Sequence, residues 1–483
     1  MGRWVGPRRR AGGRAWPRSR TAAPGLGAPG SETAGFTPPG LVITGVLTAR
    51  ACATLAPDAA VHPLLPHDAD VMLESAGADL VLIEAAAMLA SSPWAYAGDP
   101  AAVDRGRRLG RLIAAARALG KPVIFIRNVP AHLAPGLEWV AASCDAVSDD
   151  GFGVQLALFN PIGLAGSRPG DPVYADPRDP REPPAVRALL DEAASVHVTG
   201  SVPWRRRPAL YREHALFVTV SADQTREQLA CGARVVMIGG EPVTGAVAPT
   251  GEVWDAPALR DQIAALRACV PLSEAEVLPV LRDIFAAQAT PVRLTALAGL
   301  AGLGDRMIAG RRIAVLARAA DAAASAALSA ALTRQRITPA ELVVVVEAPD
   351  AASAESSARA ATAALGDLAD RGVSIRAVPM VTGEPAGWGG GQDAGGLPEP
   401  AGWLRRAASV ARSPWVVPWQ AGREYHDSYL LDLACARECS QADAAGYAGT
   451  AYAFTTSLEP ALARREFFAS GDPGPGLRLF SVS

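Results

Sequence analysis

One stretch limits the fold more than any other. Phe217-Val-Thr-Val-Ser221 is an apolar, β-branched run, and Arg234-Val-Val-Met-Ile-Gly-Gly240 is a second. Between them, residues 222–233 have the length of a short helix and carry a glycine stop at Gly232. Strand, helix, strand is one βαβ unit of a parallel sheet. Ligands of such sheets bind where loops leave the carboxyl ends of the strands. Asp223, Thr225, Arg226 and Glu227 fall there, at a helix N-terminal end whose backbone N–H groups favour phosphate.

The same alternation recurs along the chain. Leu41-Val-Ile-Thr-Gly-Val-Leu47, Ala78-Asp-Leu-Val-Leu-Ile-Glu84 and Lys121-Pro-Val-Ile-Phe-Ile-Arg127 predict strands, Cys144-Asp-Ala-Val147 a short one, and 102–119 a helix stopped by Gly120. Residues 40–166 therefore read as an N-terminal Rossmann-like lobe. Residues 167–305 read as a second lobe: a loop over 167–184, helices over 186–194 and 209–214, a strand over 196–200, then the 217–240 unit. Glu252-Val-Trp254 precedes helices that run to about 300. Residues 311–483 predict a third α/β domain, with strands at 311–317, 341–347, 373–379 and 414–419 and helices at 403–412 and 428–439. In it, 383–400 reads as a flexible glycine-rich loop, and 455–466 as an exposed loop feeding a short strand or helix.

At 483 residues two or three domains are expected. A 49% apolar and 19% charged chain builds a large soluble core. The net charge of −2 gives no general pull toward nucleic acid. Lys121 is the sole lysine, so arginine supplies nearly all positive charge. The cysteines, Cys52, Cys144, Cys231, Cys269, Cys435 and Cys439, complete no zinc pattern and read as ordinary buried thiols of a cytoplasmic protein. No apolar run approaches the ~20 residues of a transmembrane segment. Residues 1–39 read as a disordered basic tail, or as sequence upstream of the true start. The alternative is a peripheral contact with membrane or polyanion through Arg8-Arg-Arg10.

Arg226-Glu-Gln-Leu-Ala-Cys-Gly-Ala-Arg-Val-Val236 resembles the Glu-Ala-x-Ala-Cys-Gly-x-Pro-Val-Val hallmark of GT-B glycosyltransferases, with the closest likeness to the CgeB-like (spore-maturation type) members. Tyr211-Arg-Glu-His214 upstream and the helical tail fit the same pattern. The resemblance implies two facing lobes and a nucleotide-sugar donor in the second, with Glu227 on the ribose and Thr225 and Arg226 toward the phosphates. A second glutamate carried by many retaining members is replaced by Thr219. In the third domain, Glu347-Ala-Pro-Asp350 and 407–419 resemble a family 2, GT-A type glycosyltransferase, which implies that Glu347 and Asp350 lie near the nucleotide. Its metal-binding Asp-x-Asp reads Trp419-Gln-Ala-Gly-Arg423 here. A divalent metal is therefore doubtful, because Mg²⁺ and Mn²⁺ want hard carboxylate oxygens. Either Arg423 neutralises the leaving group instead, or this domain is not catalytic. Glu459 and Arg464-Arg465 are similar to the family's Arg-Arg-Glu end-piece on the acceptor side.

An acceptor hydroxyl needs a base. Glu84, at a strand's carboxyl edge, is one candidate and His426 the other. His62, His67 and His132 sit beside prolines in loop-like contexts. Glu424, His426 and Asp427 form a polar site or cap the following helix. The expected function is transfer of a sugar from a nucleotide-sugar to a glycan or lipid-linked acceptor in cell-surface glycan synthesis. The rival of another class is a non-catalytic scaffold that binds nucleotide-sugar or glycan. A dinucleotide oxidoreductase has no Gly-x-Gly-x-x-Gly to support it.

Overall fold

The computed structural model describes residues 40–482, apart from 91, 100, 130–135, 165–166, 176–183, 193–196, 199–201, 239–241, 249–254, 270, 305–309, 383–388, 393–397, 400–401, 421, 448–452, 456–458 and 471–477. The tail 1–39, His132 and the 252–254 run lie outside the described residues, as does the side chain of Glu459. The fold is mixed α/β with parallel sheets. No described helix is long and apolar enough to cross a membrane.

The first sheet comes from β1 (Val42–Val46), α1 (Ala49–Leu55), β2 (Ala60–Pro63), α2 (Ala69–Ser75), β3 (Leu80–Glu84), α3 (Val103–Ala118), β4 (Val123–Ile126), α4 (Glu138–Ser143) and β5 (Ala146–Ser148). Its strands are all parallel, in the order β2-β1-β3-β4-β5. His62, expected in a loop, lies in β2, where an edge position tolerates Pro63.

The second sheet takes β6 (Val173–Tyr174), α5 (Pro184–Glu192), β7 (His197–Val198), α6 (Arg207–Glu213), β8 (Leu216–Thr219), α7 (Ala222–Ala230) and β9 (Arg234–Met237), in the parallel order β7-β6-β8-β9. Strand β6 corrects the loop expected over 167–184. Its two residues are closed in by Pro172 and the polar run after Ala175, too few to show a period. In each sheet the chain starts in the middle, goes one way, then returns past its start. The strand order therefore switches between β1 and β3, and between β6 and β8, which is where such sheets open a ligand crevice.

Helices α8 (Ala256–Arg267), α9 (Glu274–Asp283) and α10 (Thr290–Leu300) come next, with a single π-helical turn over Ile284–Gln288. Helix α10 packs Leu294, Leu297 and Ala298 against Ile43, Leu82 and Ile124 of the first sheet. The chain thus crosses back, and the two crossings run side by side. Val154 bridges Ala289, the Val154 N–H donates to the Gln288 carbonyl at 2.8 Å, and Arg293 pairs with Asp150 at 2.6 Å. Gly153 holds φ +72° here, and an added Cβ would stand 2.3 Å from the Gln288 carbonyl oxygen, so only glycine fits.

The third sheet is built from β10 (Ile313–Ala319), α11 (Ala322–Thr333), β11 (Glu341–Ala348), α12 (Ala351–Ala364), α13 (Gly366–Asp370), β12 (Ser374–Val381), a ribbon of β13 (Gly389–Gln392) and β14 (Pro398–Glu399), α14 (Gly402–Val410), β15 (Trp415–Trp419), α15 (Tyr429–Ser440), β16 (Ala444–Tyr447), β17 (Ala453–Thr455), β18 (Glu459–Arg464), α16 (Arg465–Ser470) and β19 (Leu479–Ser481). Its order is β12-β11-β10-β15-β18-β16-β19-β17, parallel from β12 to β15, with β18 antiparallel between β15 and β16. Two expectations change. Gly389–Gln392, expected in a flexible loop, pairs antiparallel with β14, and residues 459–464, expected exposed, form an interior strand with Leu462 and Ala463 buried.

Helix α15 joins this sheet to the rest. Every residue of it except Arg437 is buried, between the third sheet and α9. Its charges are paired across that boundary. Arg282 grips Asp432 at 2.7 and 2.8 Å, and Arg311 grips Glu438 at 2.6 and 2.8 Å. The first sheet adds Asp58, which accepts from Gln155 Nε2 at 2.8 Å. Burial pushes the Asp58 carboxyl up to about 6 against that hydrogen bond, and Glu438 pushes the same way. A carboxyl raised on folding contributes stability that is fully present below its unfolded value and lost as pH rises through about 6. Urea unfolding across that window should show the chain losing on the order of 1–3 kcal/mol, with Asp58→Asn flattening the loss. Equal slopes for both proteins would show that Asp58 does not titrate there.

Candidate functional site

The switch point of the first sheet is held by Glu84. This last residue of β3 reaches over to the turn that leaves β1. Its Oε2 accepts the Thr48 N–H at 2.6 Å, and its Oε1 accepts the Thr48 hydroxyl at 3.2 Å and the Asn128 amide at 3.0 Å. Thr48 is the N-cap of α1 and accepts the Ala51 N–H at 3.0 Å. A carboxylate with hydrogen bonds on both oxygens and 3% of its surface exposed is a scaffold for the β1–α1 turn. Burial raises the Glu84 carboxyl above its usual range, and the Thr48 and Asn128 hydrogen bonds pull it back. In this geometry Glu84, expected as a base, positions the first turn of α1.

That turn presents Arg50. Its Nη2 donates to Glu227 Oε1 at 2.5 Å, an ion pair between α1 of the first sheet and α7 of the second. Glu227 is 2% exposed, whereas the Arg50 side chain keeps 35% of its surface. Among the described residues Glu227 Oε2 is buried without a hydrogen-bond partner, and the same holds for both amide atoms of Gln228. Burial drives the Glu227 carboxyl upward, Arg50 opposes it, Asp223 adds to it and Arg207 opposes it. Burial also works against the Arg50 charge, but Glu227 and then Asp223 outweigh it, so the guanidinium stays protonated. Chemically, the pair sets a partly exposed cation beside a buried carboxylate oxygen that has no donor among the described residues.

The neighbouring residues divide. Ser221 caps α7, and the Thr225 hydroxyl donates to the Ser221 carbonyl at 2.8 Å with the side chain fully buried. The Thr225 hydroxyl proton, expected to face a phosphate, is thus spent on its own helix. Arg226 points elsewhere: it pairs with Asp223 at 3.3 Å and lines a cavity that contains neither Arg50 nor Glu227.

No family model matches the chain, and no curated protein matches it. The site is therefore read from its own geometry.

In the third sheet the expected residues are tied down. Glu347 is paired with Arg318. Asp350 caps α12, accepting from the Ser353 N–H at 2.9 Å and hydroxyl at 2.8 Å. Arg423 stacks 5.6 Å over Tyr425, itself packed 4.1 Å from Trp419. His426 Nε2 lies 3.9 Å from Asp432, which Arg282 already holds. Asp427 does not cap α15; Ser428 is the N-cap and makes no side-chain cap bond, while Asp427 sits 3.9 Å from Arg334. Arg464 pairs with Asp443, and Arg465 with Glu466. A carboxylate bound to arginine, a capping aspartate and a neutral Gln420 do not fit a divalent cation. Among the described residues no cluster of His, Cys, Asp and Glu does so. Of the cysteines, Cys269 is exposed and Cys52 half-buried, against the expectation of six buried thiols.

Arg50, Thr48 and Asn128 were missed from sequence. The rule that singled out residues after Val220 applies equally to Leu47-Thr-Ala-Arg50 after β1. Removing Arg50 leaves Glu227 buried and unpaired, so Arg50→Ala should cost about 3–5 kcal/mol in urea unfolding. Arg50→Ala combined with Glu227→Gln should recover most of that loss. A single substitution costing under about 0.5 kcal/mol would mean the pair is a surface contact.

Proposed function

We propose that the chain is a glycosyltransferase-like protein that binds a nucleotide-sugar in the crevice between its first two sheets. In this reading the two sheets are the facing lobes of a GT-B arrangement, and the third sheet is an appended GT-A-like domain. The observation that carries the reading is the Arg50–Glu227 pair. It ties α1 of the first sheet to α7 of the second and sets a buried carboxylate oxygen, unpartnered among the described residues, beside a partly exposed guanidinium. Ribose hydroxyls suit the first group and a diphosphate suits the second. Glu227 is then a donor-binding residue, as the GT-B resemblance implies, and Arg50 joins it in place of Thr225. The acceptor is a hydroxyl of a glycan or a lipid-linked glycan.

The rival reading is a scaffold that binds nucleotide-sugar without turning it over. Glu84 favours it, because this candidate base already has hydrogen bonds on both oxygens. Calorimetric titration of UDP- and GDP-sugars should give saturable binding that Glu227→Ala abolishes. Release of UDP or GDP, with and without Mn²⁺, then separates transferase from scaffold. Unchanged affinity in Glu227→Ala would place the donor in the third domain.

A further inference from the structure

Arg226 lines a cavity of its own. It measures about 390 Å³, within the roughly 300–1,000 Å³ of small-molecule pockets. Its floor is apolar: Leu229 of α7, Val243 of the loop after β9, and Val280 and Ile284 at the end of α9, all nine-tenths buried or more. The rim carries two charges, Arg226 from α7 and Asp283 from the last turn of α9. These two do not pair with each other. Arg226 reaches Asp223 through Nη1 at 3.3 Å, and the rest of its fork has no partner among the described residues. Asp283 makes no ion pair among them either. An arginine held by Asp223 on one nitrogen and an exposed Asp283 over an apolar floor match a molecule with both charges and an aliphatic or aromatic body.

We infer that this cavity binds a small apolar zwitterion of the α-amino-acid type. The ligand carboxylate takes the Arg226 fork, its ammonium takes Asp283, and its side chain covers Leu229, Val243 and Val280. Rigid fork geometry makes the arginine half selective for a planar carboxylate. The inference goes beyond the nucleotide-sugar reading and does not rest on it. The wall of the cavity includes the π-helical turn that ends at Gln288, whose carbonyl accepts the Val154 N–H at the crossing between the first two sheets. Occupancy therefore ties α7, which carries Glu227, to that crossing.

The test uses leucine as probe, with the full chain, by calorimetry and thermal melting. Leucine should bind saturably and raise the melting temperature. Arg226→Gln and Asp283→Asn should each weaken binding at least tenfold while melting within a few degrees of the parent without ligand. 4-Methylpentanoate, which lacks the amine, and isoamylamine, which lacks the carboxylate, should bind at least tenfold more weakly. No saturable leucine binding would overturn the inference. So would leucine binding that survives in both variants, or 4-methylpentanoate binding as tightly as leucine. Glu227→Ala should keep leucine binding, which separates this test from that of the donor site.

Discussion

A carboxylate as buried as Glu227 is costly without a counter-charge, and the counter-charge here comes from another sheet. Arg50 stands 177 positions away in the chain. Burying the Glu227 end takes several kcal/mol of desolvation, which a single 2.5 Å contact to a partly exposed guanidinium offsets only when geometry is good and remaining atoms are satisfied. Glu227 Oε2 is not satisfied. The pair is thus poorly explained as a stabilising device alone, since apolar residues would fill the space at lower cost. It makes more sense as a site held ready for a ligand. The rest of the first sheet serves that placement: Glu84 and Asn128 fix the turn, Thr48 caps α1, and α1 delivers the guanidinium.

The same reasoning applies to α15 with a different outcome. Asp432 and Glu438 are also buried acids gripped by arginines, yet both oxygens of each are engaged in bidentate forks. Neither acid there has an oxygen without a partner. These pairs fix where the third sheet docks, and they account for a helix with apolar residues on every side and charges in between. Taken by itself, Tyr429-Leu-Leu-Asp-Leu-Ala-Cys resembles a helix that buries one face. Its other face is buried too, against α9, and that is a tertiary fact with no local signature.

The strands that are buried on both faces were legible because burial leaves unbroken apolar runs, as in Leu80–Glu84 and Glu341–Ala348. The βαβ unit of β8, α7 and β9 was legible for that reason, and Glu227 with it. Strand β6 was not, because two residues carry no period, although it lies at the centre of the second sheet. Arg50 was not, because an arginine in the first turn of a helix looks like a solvated charge until its partner is known. Thr225 shows the opposite difficulty. A threonine near a helix N-terminus suits a ligand and suits the preceding carbonyl equally well, and only coordinates decide between them.

Arg226 and Glu227 show the same limit of local sequence. Adjacent in the chain, they were expected to serve one ligand together. Successive residues of an α-helix, however, point about 100° apart around its axis. On an isolated surface helix such a divergence would put one of them into solvent. Helix α7 is packed on several sides, with the first sheet's Arg50 against one flank and the α9 turn against another. Each of the two side chains therefore meets a different wall: Glu227 faces a cation across the crevice, and Arg226 faces an apolar cavity beside the crossing. One short helix thus carries both proposed places for a ligand, the Arg50–Glu227 pair on one flank and the Arg226 cavity on the other.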